Sequence, residues 1–210
     1  MEFKEVIETR RSVNFFDSSK DIPEKILREL VETAAKTPSS FNLQPWSLIV
    51  VKNHDEKLRL RKLAWDQPKV SEAPVVFIVL ADREAWEEKN QFSEKNFKEM
   101  IKAGSMKEEQ RQWYFNTTKA LYGDGGERSQ AFACKNTGFF AMSLMLAAKN
   151  LGVDTHPMDG FDHDGVKKEF NIPDNYWVPV LISAGYFDTS KDIFPPKWRK
   201  TYEEIVITFK

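Results

Sequence analysis

The nine residues PSSFNLQPW, Pro38 to Trp46, join a predicted helix to a predicted strand. A turn requires only residues such as Pro, Gly, Asn or Ser. This loop holds in addition a second serine and a glutamine between its two prolines, and a tryptophan directly after the second proline. It carries more hydrogen-bonding side chains than a turn needs, and we interpret it as a loop that meets a polar ligand.

The composition predicts one soluble domain, with room for one large excursion. The 210 residues are 41% hydrophobic, and the 31 basic and 32 acidic residues give a net charge of −1. A nucleic-acid-binding protein normally has a strong basic excess, so this class is disfavoured. The single cysteine, Cys134, excludes an intramolecular disulfide and agrees with a reducing compartment. We expect a cytoplasmic protein with no membrane partner, because no signal peptide is visible and the longest apolar run, FFAMSLMLAA, is short.

Helices and strands interleave on both sides of the loop. Helical spacing predicts a first helix within residues 3–10, and a capping box of Asp21 and Glu24 predicts the start of a second, which extends to residue 35. After the loop we expect a strand at 47–51, a helix around 58–64 and a strand at 73–81. The second strand is apolar without alternation, which is typical of a strand covered on both faces.

The second half of the chain predicts a charged helical segment and then a buried helix. Residues 82–118 are highly charged but contain several aromatic residues, which suggests a helical, lid-like excursion. Residues 129–151 are apolar around nearly the whole circumference and end at Gly152, a suitable left-handed cap. We expect further strands at 178–186 and 204–209. The order of elements favours an α+β fold with a mostly antiparallel sheet.

Several common sites are disfavoured by the sequence. FDHDG (161–165) has metal-ligand residue types, but Asp162 or Asp164 is also a natural cap for the helix that follows, and we expect no metal. The chain has no G-x-S-x-G elbow, P-loop or G-x-G-x-x-G motif. These absences disfavour a hydrolase, a P-loop NTPase and a dinucleotide-binding fold of the usual type.

Three short groups are candidates for ligand binding. RRS (10–12) ends the first helix, where cations also interact favourably with the helix dipole. Arginine and hydroxyl groups are strong phosphate donors as well. KWR (197–199) follows two prolines, and alone it is typical of a solvated surface. THPMDGF (155–161) predicts a rigid turn after a short strand, which could direct backbone N–H groups at a ligand.

In their order along the chain, these motifs resemble the FMN-dependent nitroreductase family. ETRRSVNFF, PSSFNLQPW, THPMDGF and PPKWRK match almost the whole chain, and segment 82–118 is covered poorly. The resemblance implies one FMN-binding domain over residues 1–210, a three-layer α-β-α sandwich. It also implies a homodimer, with FMN sites at the subunit interface and a C-terminal strand exchanged between subunits.

The resemblance also implies which residues bind FMN, tightly and without a covalent bond. Around the phosphate and ribityl chain it puts Arg10, Ser12, Lys197 and Arg199, with Arg11 contributing its backbone. Toward the flavin of the partner subunit it puts Pro38, Ser39, Ser40, Asn42 and Gln44. Along the isoalloxazine and at its pyrimidine edge it puts Pro157, Met158, Asp159, Gly160, Lys69 and Gln67 or Asp66. On the substrate side we expect Phe41, Trp113 and Tyr114.

Two positions depart from the family pattern. Asn14 stands where Arg or Lys is usual near flavin N1 and O2, and Asp159 is a shortened form of a frequent Glu. The implied reaction is a ping-pong cycle in which NADH or NADPH gives a hydride to flavin N5 and a nitroaromatic or quinone accepts it, with no catalytic side chain. The alternatives are dehalogenation, enoate reduction or flavin fragmentation on the same fold, and a flavin-binding protein without turnover.

Overall fold

The computed structural model describes residues 1–123 and 125–208. Four strands form one antiparallel sheet, in the spatial order β1-β2-β4-β3. Their bounds are β1 Trp46–Val51, β2 Val75–Asp82, β3 Asp154–Met158 and β4 Tyr176–Gly185. The sheet agrees with the predicted antiparallel α+β fold.

Helices surround the sheet and hold more of the described residues than the strands do. Their bounds are α1 Phe3–Thr9, α2 Glu24–Ala34, α3 His54–Leu63, α4 Lys69–Glu72, α5 Gln91–Lys102, α6 Arg111–Tyr122, α7 Glu127–Asn150, α8 His163–Glu169 and α9 Tyr202–Ile205. Two 3₁₀ turns, Ser40–Asn42 and Glu108–Gln110, precede β1 and α6. The helices predicted before residue 152 are confirmed with small shifts of their ends.

Strand β2 lies at the centre of a three-layer sandwich. Its alternate residues Phe77 and Val79 pack in one core cluster with residues of α2 and α7, and Ile78 packs in another with residues of α3 and α8. Every residue of β2 is buried, as the unbroken apolar run predicts. Burying one such side chain contributes roughly 1.5–3 kcal/mol. This central strand therefore fixes the α-β-α layering.

Segment 82–118 contains α5 and most of α6, and it packs into a core cluster of its own. Phe97 of α5 and Tyr114 and Phe115 of α6 pack with Phe132 at the start of α7. Leu43, from the loop before β1, belongs to the same cluster. The excursion is thereby joined to both the loop and the main core.

Helix α7 is the long core helix that the sequence predicts. It is followed by Gly152 at φ +77°, the left-handed conformation expected of the cap. By length and composition α7 could cross a membrane, but 56% of its most apolar window is buried inside the protein. Most of its apolar surface therefore serves the core, while Phe139 and Met142 stay exposed.

Three local expectations are wrong. Residues 204–205 lie in α9 and 206–208 in no strand, so the terminal strand is not formed by these residues, and Phe209 lies outside the described part. A strand needs a hydrogen-bonding partner, and the exposed tail has none among the four described strands. The cap of α2 is Pro23, without the expected capping box, because the Asp21 carboxylate accepts from Ile22 N instead. Pro157 and Met158 belong to β3, so the turn begins only at Asp159.

Candidate flavin-binding site

A cavity of about 200 Å³ collects both basic groups of the sequence. The end of α1 and the segment after it form one side, His156 of β3 lies on another, and residues 192–199 close over them. Segment 10–15 reaches β3 through a bridge between Ser12 and Thr155. Of the expected FMN residues, the cavity is lined by Arg10, Arg11, Ser12, Asn14, Lys197 and Arg199.

Arg10 has an unusual environment for an arginine. It is the C-terminal cap of α1, and its buried Nη1 has no hydrogen-bond partner. Burial lowers the pKa of this guanidinium, and the nearby Arg199 and Arg11 lower it further. No described carboxylate forms an ion pair with Arg10, and Asp192 is the one acid among the described lining residues. A buried donor without a partner, among cations, fits an anion such as a phosphate.

The neighbouring Arg11 is bonded differently. Its Nη1 donates to Glu8 O at 2.7 Å and to Arg10 O at 3.0 Å, which satisfies carbonyls at the end of α1. Arg199 Nη1 likewise donates to backbone carbonyls of its own segment, at 2.8 and 3.1 Å. The helix-end explanation considered for RRS (10–12) therefore holds for the Arg11 side chain, whereas the buried Nη1 of Arg10 remains free for a ligand.

His156 connects this cavity to Lys69. The Lys69 ammonium lies 3.2 Å from His156 Nε2, and His156 Nδ1 lies 2.9 Å from Val13 O. An ammonium can only donate and a carbonyl can only accept, so the proton of the imidazole is on Nδ1. Burial is the main cause that lowers the pKa of each side chain, and Lys69 and Arg10 further lower that of His156. One wall of the cavity is therefore formed by a neutral His156, whose Nε2 accepts a hydrogen bond from the Lys69 ammonium.

The turn after β3 is held by the residues between α3 and α4. Gln67 Nε2 donates to Gly160 O at 2.9 Å. A Cβ atom on Gly160 would lie 2.8 Å from the ring of the exposed Trp65, so a larger residue here would require this ring to move. Trp65 and Asp66 both have positive φ, 51° and 54°. The structure thus joins Gln67 to the turn at Asp159 and Gly160. All three residues are among those expected to contact the flavin.

The loop PSSFNLQPW has a strained backbone and is hydrogen-bonded within the chain. Phe41, Asn42 and Gln44 have φ of 53°, 54° and 46°, a left-handed conformation that costs on the order of 1–3 kcal/mol for each residue other than glycine. Ser39 Oγ accepts from Gln44 N at 2.9 Å, and Ser40 N donates to Asn136 Oδ1 at 3.0 Å. The loop therefore keeps a strained conformation with the help of buried partners.

An aromatic residue and two buried asparagines anchor this loop. Trp46 stacks on Phe140 of α7 with 5.1 Å between ring centroids. This stacking anchors the end of the loop against the core. Asn96 of α5 and Asn136 of α7 form hydrogen bonds to the loop. The sequence did not indicate this role, because each is only a polar residue in a helix. His156 lies in THPMDGF, but no sequence pattern indicated its contact with Lys69.

Within one chain the two sets of expected FMN residues are separate. Asn42 and Gln44 line a second cavity of about 320 Å³, which shares no described lining residue with the arginine cavity. Pro38 lines a third groove beside α1 and α7. The structure brings together the basic groups and the Lys69 pair, but it does not bring the loop to them.

The three expected substrate residues have different environments. Tyr114 is only 1% exposed, and its ring packs at 5.8 Å from the half-buried Phe41. Trp113 is exposed on α6. A side chain as buried as Tyr114 supports the loop from behind.

Among the described residues, no cluster of three His, Cys, Asp or Glu could hold a metal ion.

Comparison with known proteins identifies the family. The model of the Nitroreductase family matches residues 7–186. The chain belongs to this family. MhqN from Bacillus subtilis, named provisionally as an NAD(P)H nitroreductase, is 32% identical over 98% of both chains. A Thermus thermophilus protein named NADH dehydrogenase is 32% identical over 84% of this nitroreductase-family chain and 82% of its own.

Solved structures show the same fold. The structure of B. subtilis ydfN, also named provisionally as a nitroreductase, has a TM-score of 0.89 at 32% identity and covers 99% of both chains. A protein from Exiguobacterium sibiricum was solved in complex with FMN. It has a TM-score of 0.84 at 26% identity and covers 98% of this chain and 96% of its own. The nitroreductase fold is thus matched over essentially the whole chain.

Proposed function

We propose that the protein is an NAD(P)H-dependent oxidoreductase with FMN as its cofactor. The observation that carries the proposal is the buried Nη1 of Arg10, which has no partner in a cavity rich in cations. A phosphate supplies several strong acceptor oxygens and a charge near −2. Membership of the family, the relatives named for NAD(P)H or NADH, and the FMN complex of a related structure support the same cofactor and reductant.

Different residues of this chain bind the two ends of the cofactor. Arg10, Ser12, Lys197 and Arg199 hold the phosphate end, and Arg11 contributes its backbone. The flavin end is held by Lys69, Gln67, Asn14 and the four residues Pro157, Met158, Asp159 and Gly160. FMN, when bound, supplies hydride transfer at N5, from NADH or NADPH and then to the acceptor. The protein binds, orients and shields it.

We infer the acceptor class from the small number of proton-transfer groups in the proposed site. Asp192 is the one carboxylate among the described lining residues, and both ring nitrogens of His156 are bonded within the chain, so the cavity offers few groups that could accept or deliver a proton. Electron-poor planar molecules, such as nitroaromatics and quinones, accept electrons without such help. We propose this class, with Phe41 and Trp113 on the acceptor side and Tyr114 supporting Phe41 from behind.

We further propose a homodimer in which each FMN site takes residues from both chains. Two observations support it. The loop with Ser39, Ser40, Asn42 and Gln44 faces a cavity separate from the arginines, so a second copy is needed to bring the two sets together. Apolar side chains that one chain leaves in water, which a partner can cover, are Phe3, Ile7, Phe139, Met142, Ile205, Val206 and Ile207.

The cofactor and the activity are tested together on the purified protein. We expect a yellow protein that releases FMN, and not FAD, on denaturation. We also expect NADH or NADPH oxidation that depends on added menadione or nitrofurazone. A colourless protein that does not bind added FMN would contradict the cofactor assignment. Bound FMN without an acceptor-dependent rate would instead indicate a flavin store or sensor.

The shared site is tested by mass and by truncation. Light scattering should give about twice the chain mass of 24.4 kDa. Deleting residues 203–210 should weaken both dimerisation and FMN retention. Replacing the exposed Leu58 of α3, which lies outside the proposed dimer contacts and the candidate site, with Ala provides a control for surface apolar loss. A monomer that retains one FMN per chain would contradict the shared site.

A further inference from the structure

Asn96 of α5 joins the helical excursion to the loop 38–46. Its side chain is 8% exposed. Its Oδ1 accepts from Asn42 Nδ2 at 2.7 Å, and its Nδ2 donates to Phe41 O and to Tyr114 Oη, both at 3.0 Å. A carbonyl oxygen can only accept, so the amide nitrogen must face Phe41 and the orientation of the side chain is fixed. Both hydrogens of the amide are used.

The backbone that Asn96 contacts is the strained part of the loop. Phe41 and Asn42 follow each other in the left-handed conformation, at φ 53° and 54°. Their local hydrogen bonds are those of one 3₁₀ turn, from Asn42 N to Ser39 O and from Leu43 N to Ser40 O. Such strain persists only where the surrounding structure holds it. Asn96 contacts the carbonyl of one strained residue and the side chain of the other.

The support beneath Asn96 is itself well packed. Tyr114, Phe97 and Phe115 form aromatic pairs with centroids 4.9–5.7 Å apart. Arg111 lies over the rings of Phe97 and Phe115 and pairs with Glu94 at 2.6 Å. A densely packed cluster of this kind holds Asn96 in place against the loop. It is poorly suited to opening and closing as a lid.

We propose that Asn96 is a positioning residue, which holds Phe41 and Asn42 so that the loop presents Asn42 and Gln44 to FMN. The helical excursion, expected from the sequence to be a lid, then acts as the support of the binding loop. The part of this inference that concerns FMN rests on the proposed function. The part that concerns the loop depends only on the contacts of Asn96.

The test compares two neighbouring positions on α5. Asn96→Leu removes all three hydrogen bonds and keeps an apolar side chain of similar size. Phe97→Leu is the matched control, because it removes packing from the same cluster but no bond to the loop. Hydrogen exchange of the Asn42 and Leu43 amides is measured relative to the wild type, and amides of β2 report global opening separately. FMN affinity is measured by fluorescence titration of the apoprotein.

We expect Asn96→Leu to speed relative exchange of the two loop amides at least tenfold and to weaken FMN binding at least tenfold. Phe97→Leu should change neither ratio by more than about twofold, even if it lowers the temperature of unfolding. Loop exchange in Asn96→Leu equal to wild type would overturn the proposal, as would faster exchange with unchanged FMN affinity. Wild-type protein that does not bind FMN would refute the proposed function, while the exchange comparison would still decide whether Asn96 positions the loop.

Discussion

The arginine cavity and the loop 38–46 are both expected to bind FMN, but they differ in how far their polar groups are already hydrogen-bonded within the chain. In the cavity, Arg10 keeps a buried donor without a partner. In the loop, Ser39, Ser40 and Asn42 are bonded within the chain, and strained backbone is held by buried amides. A site short of acceptors requires an anion to complete it. A loop that is already satisfied offers a preformed shape instead, which lowers the cost of ordering on binding.

The largest effect is expected from removing the unsatisfied donor. Hydrogen bonds to charged groups contribute roughly 1.5–3 kcal/mol, so Arg10→Ala should weaken FMN binding by about ten- to a hundredfold. Arg11→Ala is the matched control, because its guanidinium already bonds Glu8 O and Arg10 O. Its loss of affinity should be clearly smaller. Fluorescence titration of the two apoproteins measures both.

Equal losses in the two variants would mean that only the summed positive charge matters. Wild-type affinity in Arg10→Ala would remove the phosphate assignment altogether. Arg199→Ala gives a second check, since Arg199 is exposed and lowers the pKa of Arg10. We expect it also to weaken FMN binding.

The second prediction adds a charge to the cavity. Asn14 is half-buried and lines the cavity beside Arg10 and His156. Asn14→Lys should raise the two-electron potential of bound FMN, because a cation near the pyrimidine end favours the reduced form, which carries more negative charge. A rise of about 30 mV corresponds to about 1.4 kcal/mol. Spectroelectrochemistry measures the shift, and Asn14→Gln is the neutral control. An unchanged or lower potential in Asn14→Lys would contradict the prediction.

Sequence patterns predicted the elements whose formation depends on local periodicity and composition. The unbroken apolar run of β2 indicated a strand with two covered faces, and the apolar circumference of α7 indicated a core helix. RRS (10–12) and KWR (197–199) were recognisable by residue type and family order. Their meeting in one cavity was implied by the resemblance, since the chain itself separates them by almost its full length.

Sequence patterns could not predict contacts that arise only after folding. Asn96 and Asn136 are single polar residues on helices, and nothing in their spacing shows that they face the loop. The same limit explains the terminal segment. Its β-branched residues suggested a strand, but strand formation requires a partner edge, and the chain alone forms α9 there.

The third prediction contrasts the two regions without any ligand. Ser39→Ala removes the acceptor of the Gln44 N–H, and a typical hydrogen bond contributes about 0.5–1.5 kcal/mol. It should therefore lower the free energy of unfolding of the apoprotein. Arg10→Met should leave that free energy unchanged or raise it, because it removes a buried donor without a partner. Urea unfolding of both apoproteins tests the contrast, and a clear destabilisation by Arg10→Met would show that Arg10 is satisfied before any ligand binds.

The smallest expected effect is the pH dependence contributed by His156. Burial is the main cause that lowers its pKa in the folded protein, with Lys69 and Arg10 adding to the shift and the carbonyl of Val13 opposing it. Below the ordinary histidine pKa of about 6.5, the unfolded chain therefore binds a proton that the folded chain resists. The free energy of unfolding should fall as the pH drops below that value, and it should be constant above it as far as this group is concerned.

A glutamine at this position isolates the contribution of His156. His156→Gln keeps an acceptor within reach of Lys69 but has no proton to gain. The pKa of His163 is also lowered by burial, so the wild type and the variant share that part of the pH dependence. The free energy of unfolding of the apoprotein, measured with urea between pH 7.5 and 5, should fall more in the wild type than in His156→Gln. Parallel curves would mean that His156 takes up a proton as easily when folded, and that Lys69 is not held by a neutral imidazole.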